Sequence, residues 1–214
     1  MNEELIIQQA EDYIKSLLGS DSSGHDYFHT LRVYKTALAI CQKEKGNLLL
    51  VSLASLLHDA DDYKLFPKSE NYANARTFMN SISLDEAIQN QIIHIISQVS
   101  FKGKESEKPD SLEGMIVQDA DRLDAIGAIG IGRAFAYGGS KGRSLYDPNI
   151  KPNSDRTFEE YKNSNSSTIN HFYEKLLLLK EMMNTEEGRK IAEKKDEFMR
   201  EFLREFDAEI DGKA

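Results

Sequence analysis

The segment 48–58, with the sequence LLLVSLASLLH, constrains the fold of this chain more than any other. A helix that is apolar on nearly every side cannot face water favourably along any of them, so other elements must surround it. The segment ends directly in His58 and Asp59, two side chains that can carry chemistry. We therefore predict a central buried helix that carries both groups at its carboxyl end.

The rest of the chain follows the same helical pattern. Apolar residues recur at helical spacing through most of the 214 residues, whereas alternating, strand-like runs are nearly absent. Closely spaced glycines at 127, 130 and 132 predict a tightly packed helix of small residues. We predict an all-α, single-domain bundle over residues 1–214. Its other helices are predicted at about 5–18, from 29 to Gly46, and at 71–79, 84–101, 112–123, 169–183 and after Thr185.

Charge and hydropathy exclude several classes of protein. The formal net charge of −9 disfavours a nucleic-acid platform, since an acidic chain repels polyanions. The first nine residues are acidic and polar, and no run of 18 apolar residues occurs, so we expect a cytoplasmic protein that makes no use of a membrane. The one cysteine, Cys41, has no thiol partner and is expected to be buried and inert.

Three polar clusters interrupt the apolar pattern. A carboxylate beside an imidazole at the end of an apolar helix is costly to desolvate unless a partner compensates it, although Asp59 alone could be a solvated helix end. Two histidines and two aspartates together would suit a six-coordinate ion such as Mn²⁺, Fe²⁺ or Mg²⁺ better than a closed zinc site. The clusters are GHDYFHT at 24–30, LLHDADD at 56–62 and QDADRLD at 118–124.

A lone histidine, then a His-Asp pair, then a distant aspartate resembles the signature of the HD-domain superfamily of metal-dependent phosphohydrolases. The resemblance implies one divalent metal ion, with Mn²⁺ as first choice and Mg²⁺, Fe²⁺, Co²⁺ and Ni²⁺ as alternatives. The family's last ligand commonly lies in an Ala-Asp-Arg/Lys-Leu context, which 120–123 matches, while Asp124 stays open as a rival. The implied ligands are His29, His58, Asp59 and Asp121.

The chain looks similar to one small bacterial branch of that superfamily, the YpgQ-like branch, through 24–26, 119–130 and 171–176. This resemblance implies an HD-domain bundle with a core at about 24–130 and C-terminal helices at about 157–210 packing on it. It also implies a nucleotide substrate. The implied reaction splits nucleoside or deoxynucleoside triphosphates into the monophosphate and pyrophosphate.

Further residues are candidates for catalysis and substrate binding. Asp62 is predicted to orient or deprotonate the attacking water, unless it belongs to a solvated turn. His25 is a candidate substrate contact, and His94 is either near the scissile phosphate or a core histidine. Cations must neutralise the substrate, and the candidates are Arg32, Lys64, Arg122, Lys141 and Arg143.

Other functions and assemblies stay open at this point. The same metal site could serve a phosphomonoesterase that acts as a nucleotidase, or an alarmone hydrolase. A non-catalytic HD-type binding module is the alternative from a different class. The stripe of Phe198, Phe202 and Phe206 is expected to pack in the core, although a homodimer interface could use such apolar stripes equally well.

Overall fold

The computed structural model describes residues 2–19, 26–62, 65–99, 107–153 and 166–213. Within these ranges the chain forms helices and no strands, so the all-α prediction is confirmed. No helix among them is long and apolar enough to cross a membrane. The α-helices are α1 (Glu3–Leu18), α2 (Tyr27–Glu44), α3 (Leu48–Leu57), α4 (Ala73–Ser81), α5 (Glu86–Ser97), α6 (Leu112–Asp124), α7 (Gly127–Ser140), α8 (Thr168–Glu174) and α9 (Glu186–Ile210), and a 3₁₀ helix spans Leu176–Met182.

The chain divides into two compact units, and α6 is shared between them. The first unit comprises Met1–Phe101 and Ser106–Asp121, and the second comprises Lys102–Glu105 and Arg122–Ala214. The domain boundaries that the sequence suggested stay a prediction.

Helix α3 is the centre of the first unit, as the sequence predicted. It contacts α1, α2 and α5, and every residue from Val51 to Leu57 is buried. Its two buried serines satisfy their hydroxyls within the helix, because Ser52 Oγ donates to the Leu48 carbonyl at 2.7 Å and Ser55 Oγ donates to the Ser52 carbonyl at 3.0 Å. The helix therefore buries its polar groups without leaving them unsatisfied.

In the second unit, the predicted helix over 169–183 is wrong as a single element. It divides at Lys175, where φ is −139° and ψ is −58°, into α8 and the 3₁₀ helix. Consecutive leucines at 176–179 have no stripe at the α-helical spacing, whereas the threefold repeat of a 3₁₀ helix puts Leu176 and Leu179 on one buried face. Leu178 is left partly exposed.

The C-terminal aromatic stripe on α9 packs only in part. The Phe202 ring lies 5.8 Å from that of Phe172 and 5.9 Å from that of Phe135, and Phe206 contacts Phe202 at 6.0 Å between centroids. Phe198, which the sequence assigned to the core, is instead 48% exposed.

The glycine-rich segment forms α7, as predicted. At Gly130 the neighbouring backbone leaves no space for a side chain. A Cβ at this position would clash with the backbone oxygen of Ala125, which cannot move aside as a side chain could. At Gly132, on the same helix, a Cβ would meet nothing within 4 Å among the described residues. A methyl side chain can therefore be added at Gly132 without a clash but not at Gly130.

Gly130→Ala is expected to lower the free energy of unfolding by roughly 2–3 kcal/mol, because the added methyl group overpacks a rigid contact. Gly132→Ala, the matched control, should raise it by about 0.5–1 kcal/mol through better helix propensity. Urea unfolding followed by circular dichroism measures both. Equal effects of the two substitutions would contradict the proposed backbone contact.

Candidate metal centre

Three helices of the first unit bring the candidate ligands together. His29 lies in the first turn of α2, where the Asp26 side chain caps the helix and accepts a hydrogen bond from the His29 N–H at 2.7 Å. His58 is the residue at which α3 ends, and Asp121 lies in the last turn of α6. Each of these helices therefore presents a ligand near one of its termini.

The imidazole and carboxylate atoms converge closely. His29 Nε2 lies 3.4 Å from both Asp59 Oδ2 and Asp121 Oδ1. His58 Nε2 lies 3.5 Å from the same Asp59 oxygen and 3.9 Å from the same Asp121 oxygen. The two imidazole rings are 5.4 Å apart and inclined by 66°. All four predicted ligands thus meet in one cluster.

The hydrogen bonding of His58 fits a metal ligand. Its Nδ1 lies 2.7 Å from the Ser55 carbonyl oxygen, which can only accept, so Nδ1 carries the proton. In the neutral imidazole Nε2 then bears the lone pair, and this buried atom makes no hydrogen bond to the described residues. A lone pair aimed at two carboxylates is repelled by them unless a cation lies between. A metal ion would meet that requirement.

Burial and the neighbouring imidazoles act in opposite directions on the pKa of Asp121. Burial raises the pKa of this carboxyl group, but the neighbouring imidazoles of His29 and His58 lower it by more, so its pKa lies below the ordinary value. Asp59, which is buried, opposes this effect through its own negative charge. The group therefore favours the ionised form, which is the form that binds a metal.

The spacing of the cluster also suits a metal ion. One ligand atom each from His29, His58 and Asp121 lie within 4.8 Å of one another. Metal–nitrogen and metal–oxygen bonds of about 2.1 Å put adjacent ligand atoms about 3 Å apart, so only a small contraction of the observed distances is needed. With Asp59 facing both imidazoles, the donor set of nitrogen and oxygen atoms is the mixed set that the sequence predicted.

The two aspartates after the His-Asp pair have different positions. The carboxylate of Asp61 accepts hydrogen bonds from the Ser69 hydroxyl and from the backbone N–H groups of Asn74 (2.9 Å) and Ala75 (3.0 Å), so it holds the start of α4. Asp62 is half-buried in the turn that follows Asp59, and its N–H donates to the Asp59 carbonyl at 3.2 Å. Asp61 is thus engaged in the fold, and Asp62 stays the candidate for handling water.

Asp124, the rival fourth ligand, is engaged elsewhere. It is buried in the second unit, where Arg133 donates a short hydrogen bond to its carboxylate. Arg122, a predicted substrate contact, is also buried and donates from Nη1 to the Met182 carbonyl at 2.5 Å. Both contacts indicate structural roles, which leaves Asp121 as the fourth ligand that we propose.

His94, a predicted catalytic residue, is neither in the core nor in the cluster. Its side chain is 54% exposed, and its Nε2 lies 2.9 Å from both carboxylate oxygens of Asp110. That hydrogen bond is the main cause that lowers the pKa of Asp110. The isoleucine pairs on either side of His94 suggested that it is buried. Instead, His94 lies on the outer face of α5 and forms an exposed ion pair with Asp110.

The remaining candidates are distributed over both units. Arg32 is half-buried on α2, one turn after His29. Lys141 and Arg143 follow α7 in the second unit. His25 and Lys64 lie outside the described residues, so their roles stay predictions.

Sequence reasoning missed two residues that support the histidines, one through the backbone of His29 and one through the imidazole of His58. Asp26 caps α2, and an aspartate directly before a helical pattern is a recognised signal of that role. Ser55 supplies the carbonyl that sets the tautomer of His58, and this contact comes from the backbone, so the residue type gives no signal for it.

The comparisons with known proteins agree with this fold. A model of the HD domain matches residues 26–126. The uncharacterized protein YpgQ of Bacillus subtilis (strain 168) is 40% identical over 196 residues, which cover 90% of this chain and 87% of YpgQ.

Solved structures agree over nearly the whole chain. A crystal structure of an HD-superfamily hydrolase from Bacillus thuringiensis is 37% identical, with a TM-score of 0.80 over 98% of this chain and 99% of that one. The crystal structure of B. subtilis YpgQ in complex with ADP is 34% identical, with a TM-score of 0.74 over 97% and 100% of the two chains.

The fold and the cluster define an all-α protein of the class that uses a divalent metal for hydrolysis. This chain belongs to the HD domain family. HD domains bind a divalent metal, and His29, His58 and Asp121 form the site for it in this chain. The family resemblance drawn from the sequence is therefore confirmed.

Asp121→Asn is expected to weaken binding of a divalent metal at least 100-fold (~3 kcal/mol), because it removes a negatively charged ligand. Asp124→Asn should leave metal affinity unchanged but lower the free energy of unfolding by roughly 1–3 kcal/mol, since it breaks a buried ion pair. Calorimetric titration with Mn²⁺ and urea unfolding separate the two effects. Loss of metal binding in Asp124→Asn alone would make Asp124 the ligand.

Proposed function

We propose that this protein hydrolyses nucleoside and deoxynucleoside triphosphates to the monophosphate and pyrophosphate in a divalent-metal-dependent reaction. The observation that carries the proposal is the cluster of two imidazoles and two carboxylates at the end of α3. In an HD-superfamily hydrolase, such a cluster is the site at which phosphate ester or anhydride bonds are broken. The YpgQ complex with ADP supports a nucleotide as the substrate class.

The proposed set of four protein ligands would leave coordination positions of the metal ion open. A divalent metal bound there would act as a Lewis acid on a phosphoryl oxygen and would lower the pKa of water. The four protein ligands would supply fewer donors than the six of an octahedral ion such as Mn²⁺, our first choice of metal, so water and substrate could complete its shell. The two negative charges of the aspartates would balance those of a divalent ion.

The residues of this chain then have separate tasks. His58 is oriented by Ser55 and His29 by the capped first turn of α2, so both imidazoles are held before substrate binds. Asp62 is three residues beyond Asp59 in the same turn, and its carboxylate would orient the attacking water and accept its proton. Arg32, one helical turn after His29, would neutralise a phosphate oxygen of the substrate.

The alternatives use the same site and differ in their products. A nucleotidase would release phosphate from a monophosphate, and an alarmone hydrolase would release pyrophosphate from a guanosine alarmone. A binding module of this fold would hold a nucleotide without converting it. A panel of nucleoside mono- and triphosphates with Mn²⁺, Mg²⁺ and Ni²⁺, analysed separately for phosphate and pyrophosphate, distinguishes these functions. Phosphate as the sole inorganic product would contradict the proposal.

Asp62→Asn is expected to lower kcat by about 10² to 10⁴-fold while metal binding is retained, because the amide cannot accept the proton from water. Steady-state release of pyrophosphate gives kcat, and calorimetry with Mn²⁺ gives metal affinity. Asp207→Asn, an equal change of charge at an exposed position of α9, is the control and should change neither. Full turnover in Asp62→Asn would show that another group handles the water.

His94→Gln tests the other catalytic candidate. Since His94 is exposed and paired with Asp110, we expect kcat and KM to stay within twofold (~0.4 kcal/mol) of the unmodified protein. The same assay measures both constants. A large fall in kcat would restore the catalytic role that the sequence suggested for His94.

A further inference from the structure

The turn at 59–62 is joined to the start of α4 by hydrogen bonds in both directions. The Asp61 carboxylate accepts one from the Asn74 N–H at 2.9 Å through Oδ1 and one from the Ala75 N–H at 3.0 Å through Oδ2. The Asn74 side chain donates in return from Nδ2 to the Ala60 carbonyl at 2.8 Å. These bonds hold the middle of the turn against one end of a helix.

Helix α4 depends on Asp61 because its own N-cap residue does not cap it. That residue is Tyr72, which makes no side-chain hydrogen bond to the first turn and lies in the left-handed region, with a φ of 58° and a ψ of 46°. Asn71 before it has a φ of 54°. Residues with a Cβ adopt this region at a cost, and the first N–H groups of a helix have no partner within it. A carboxylate thirteen residues before Asn74 supplies the acceptors instead.

The Asp61 carboxylate is engaged through both of its oxygens. Oδ1 also accepts a hydrogen bond from the Ser69 hydroxyl, so the donors to this group come from the segment 69–75. An ionised carboxylate held in this way keeps its orientation and places its negative charge at the positive end of the helix dipole. Its hydrogen bonds therefore go to the fold, and Asp61 can act on the site only through the residues beside it.

Helix α4 is in turn attached to α1. The Tyr13 hydroxyl donates to the Asn74 carbonyl at 2.9 Å, and the Tyr13 ring stacks on that of Phe78, with 5.2 Å between the centroids and 29° between the planes. Helix α1 packs on α3, the helix from which the turn emerges. The turn therefore belongs to a closed set of contacts within the first unit, and it cannot shift without breaking its bonds to α4.

We propose that Asp61 is a positioning residue of the metal centre, which fixes the aspartates on either side of it through its bonds to α4. Asp59, two residues earlier, has its Oδ2 at 3.4 Å from His29 Nε2 and at 3.5 Å from His58 Nε2. Asp62 follows Asp61 directly. A turn released from α4 would let both carboxylates leave these positions. The part that concerns Asp62 rests on the proposed function, whereas the part that concerns Asp59 rests on the metal centre alone.

Coupling between two sites is reciprocal, so an ion held by the turn must also strengthen the attachment of α4. In NMR spectra of the unmodified chain, saturating Mg²⁺ should slow hydrogen exchange of the Asn74 and Ala75 amides by about tenfold. The amides of Ala87 and Ile88, which Asp85 caps at the start of α5, are the internal control and should slow by less than about twofold. Equal protection of both helix ends would reduce the effect to overall stabilisation and contradict the coupling.

Asp61→Ala is expected to weaken Mn²⁺ binding about tenfold (~1.4 kcal/mol) and to lower kcat about tenfold at saturating Mn²⁺, with KM nearly unchanged. Asp85→Ala removes a side-chain cap of the same kind and the same charge from α5, and as the matched control it should change none of these constants. Calorimetric titration gives the metal affinity without any assay of activity. A loss of affinity as large in the control as in Asp61→Ala would show general destabilisation and overturn the proposal.

Asp61→Asn is a milder variant for the case in which Asp61→Ala does not fold. The amide keeps one oxygen as an acceptor for the Asn74 N–H, but its NH₂ group cannot accept from the Ala75 N–H. Mn²⁺ affinity and kcat should therefore fall by about threefold, between the unmodified protein and Asp61→Ala. Values equal to those of the unmodified protein would contradict a positioning role for the carboxylate.

The failures of the two proposals are distinguishable. If no triphosphate is hydrolysed with any metal while Asp61→Ala still weakens Mn²⁺ binding, the proposed function fails and the positioning role towards Asp59 stands. If hydrolysis is normal and Asp61→Ala changes neither metal affinity nor kcat, the positioning role fails and the proposed function stands.

Discussion

The constraint on which this structure depends is the desolvation of charge at the end of α3, a helix that is buried from Val51 to Leu57. Two imidazoles and two carboxylates meet where α3 ends, with nitrogen–oxygen distances of 3.4–3.9 Å. A buried carboxylate is costly unless it is paired or bound to a metal. A divalent cation satisfies both carboxylates and both lone pairs at once, and the family to which the chain belongs binds one.

The surrounding residues hold this cluster in place before any ion or substrate arrives. The Ser55 carbonyl sets which nitrogen of His58 faces the carboxylates, and Asp26 fixes the first turn of α2 below His29. Asp61 holds the start of α4 and so anchors the turn that contains Asp62. Such preorganisation lowers the reorganisation needed when a substrate binds, which is a principal source of catalytic power.

The second unit contains a local group of positive charges. The chain as a whole is acidic, yet the segment after α7 gathers cations on a backbone that is hydrogen-bonded to two helices. Burial, together with the positive charges of Lys175 and Arg143, lowers the pKa of His171 to about 3.

The sequence by itself determined the helical class, the burial of α3 and the order of the three polar clusters, because hydrophobic periodicity and helix signals are local properties of the chain. Only the tertiary structure distinguishes Asp121, which lies near both imidazoles, from Asp124. The two lie three residues apart on α6, and their difference arises from Arg133, which pairs with Asp124 from another helix. It likewise decided that His94 faces outward to Asp110, since the side on which a helix is covered depends on its neighbours and not on its own residues.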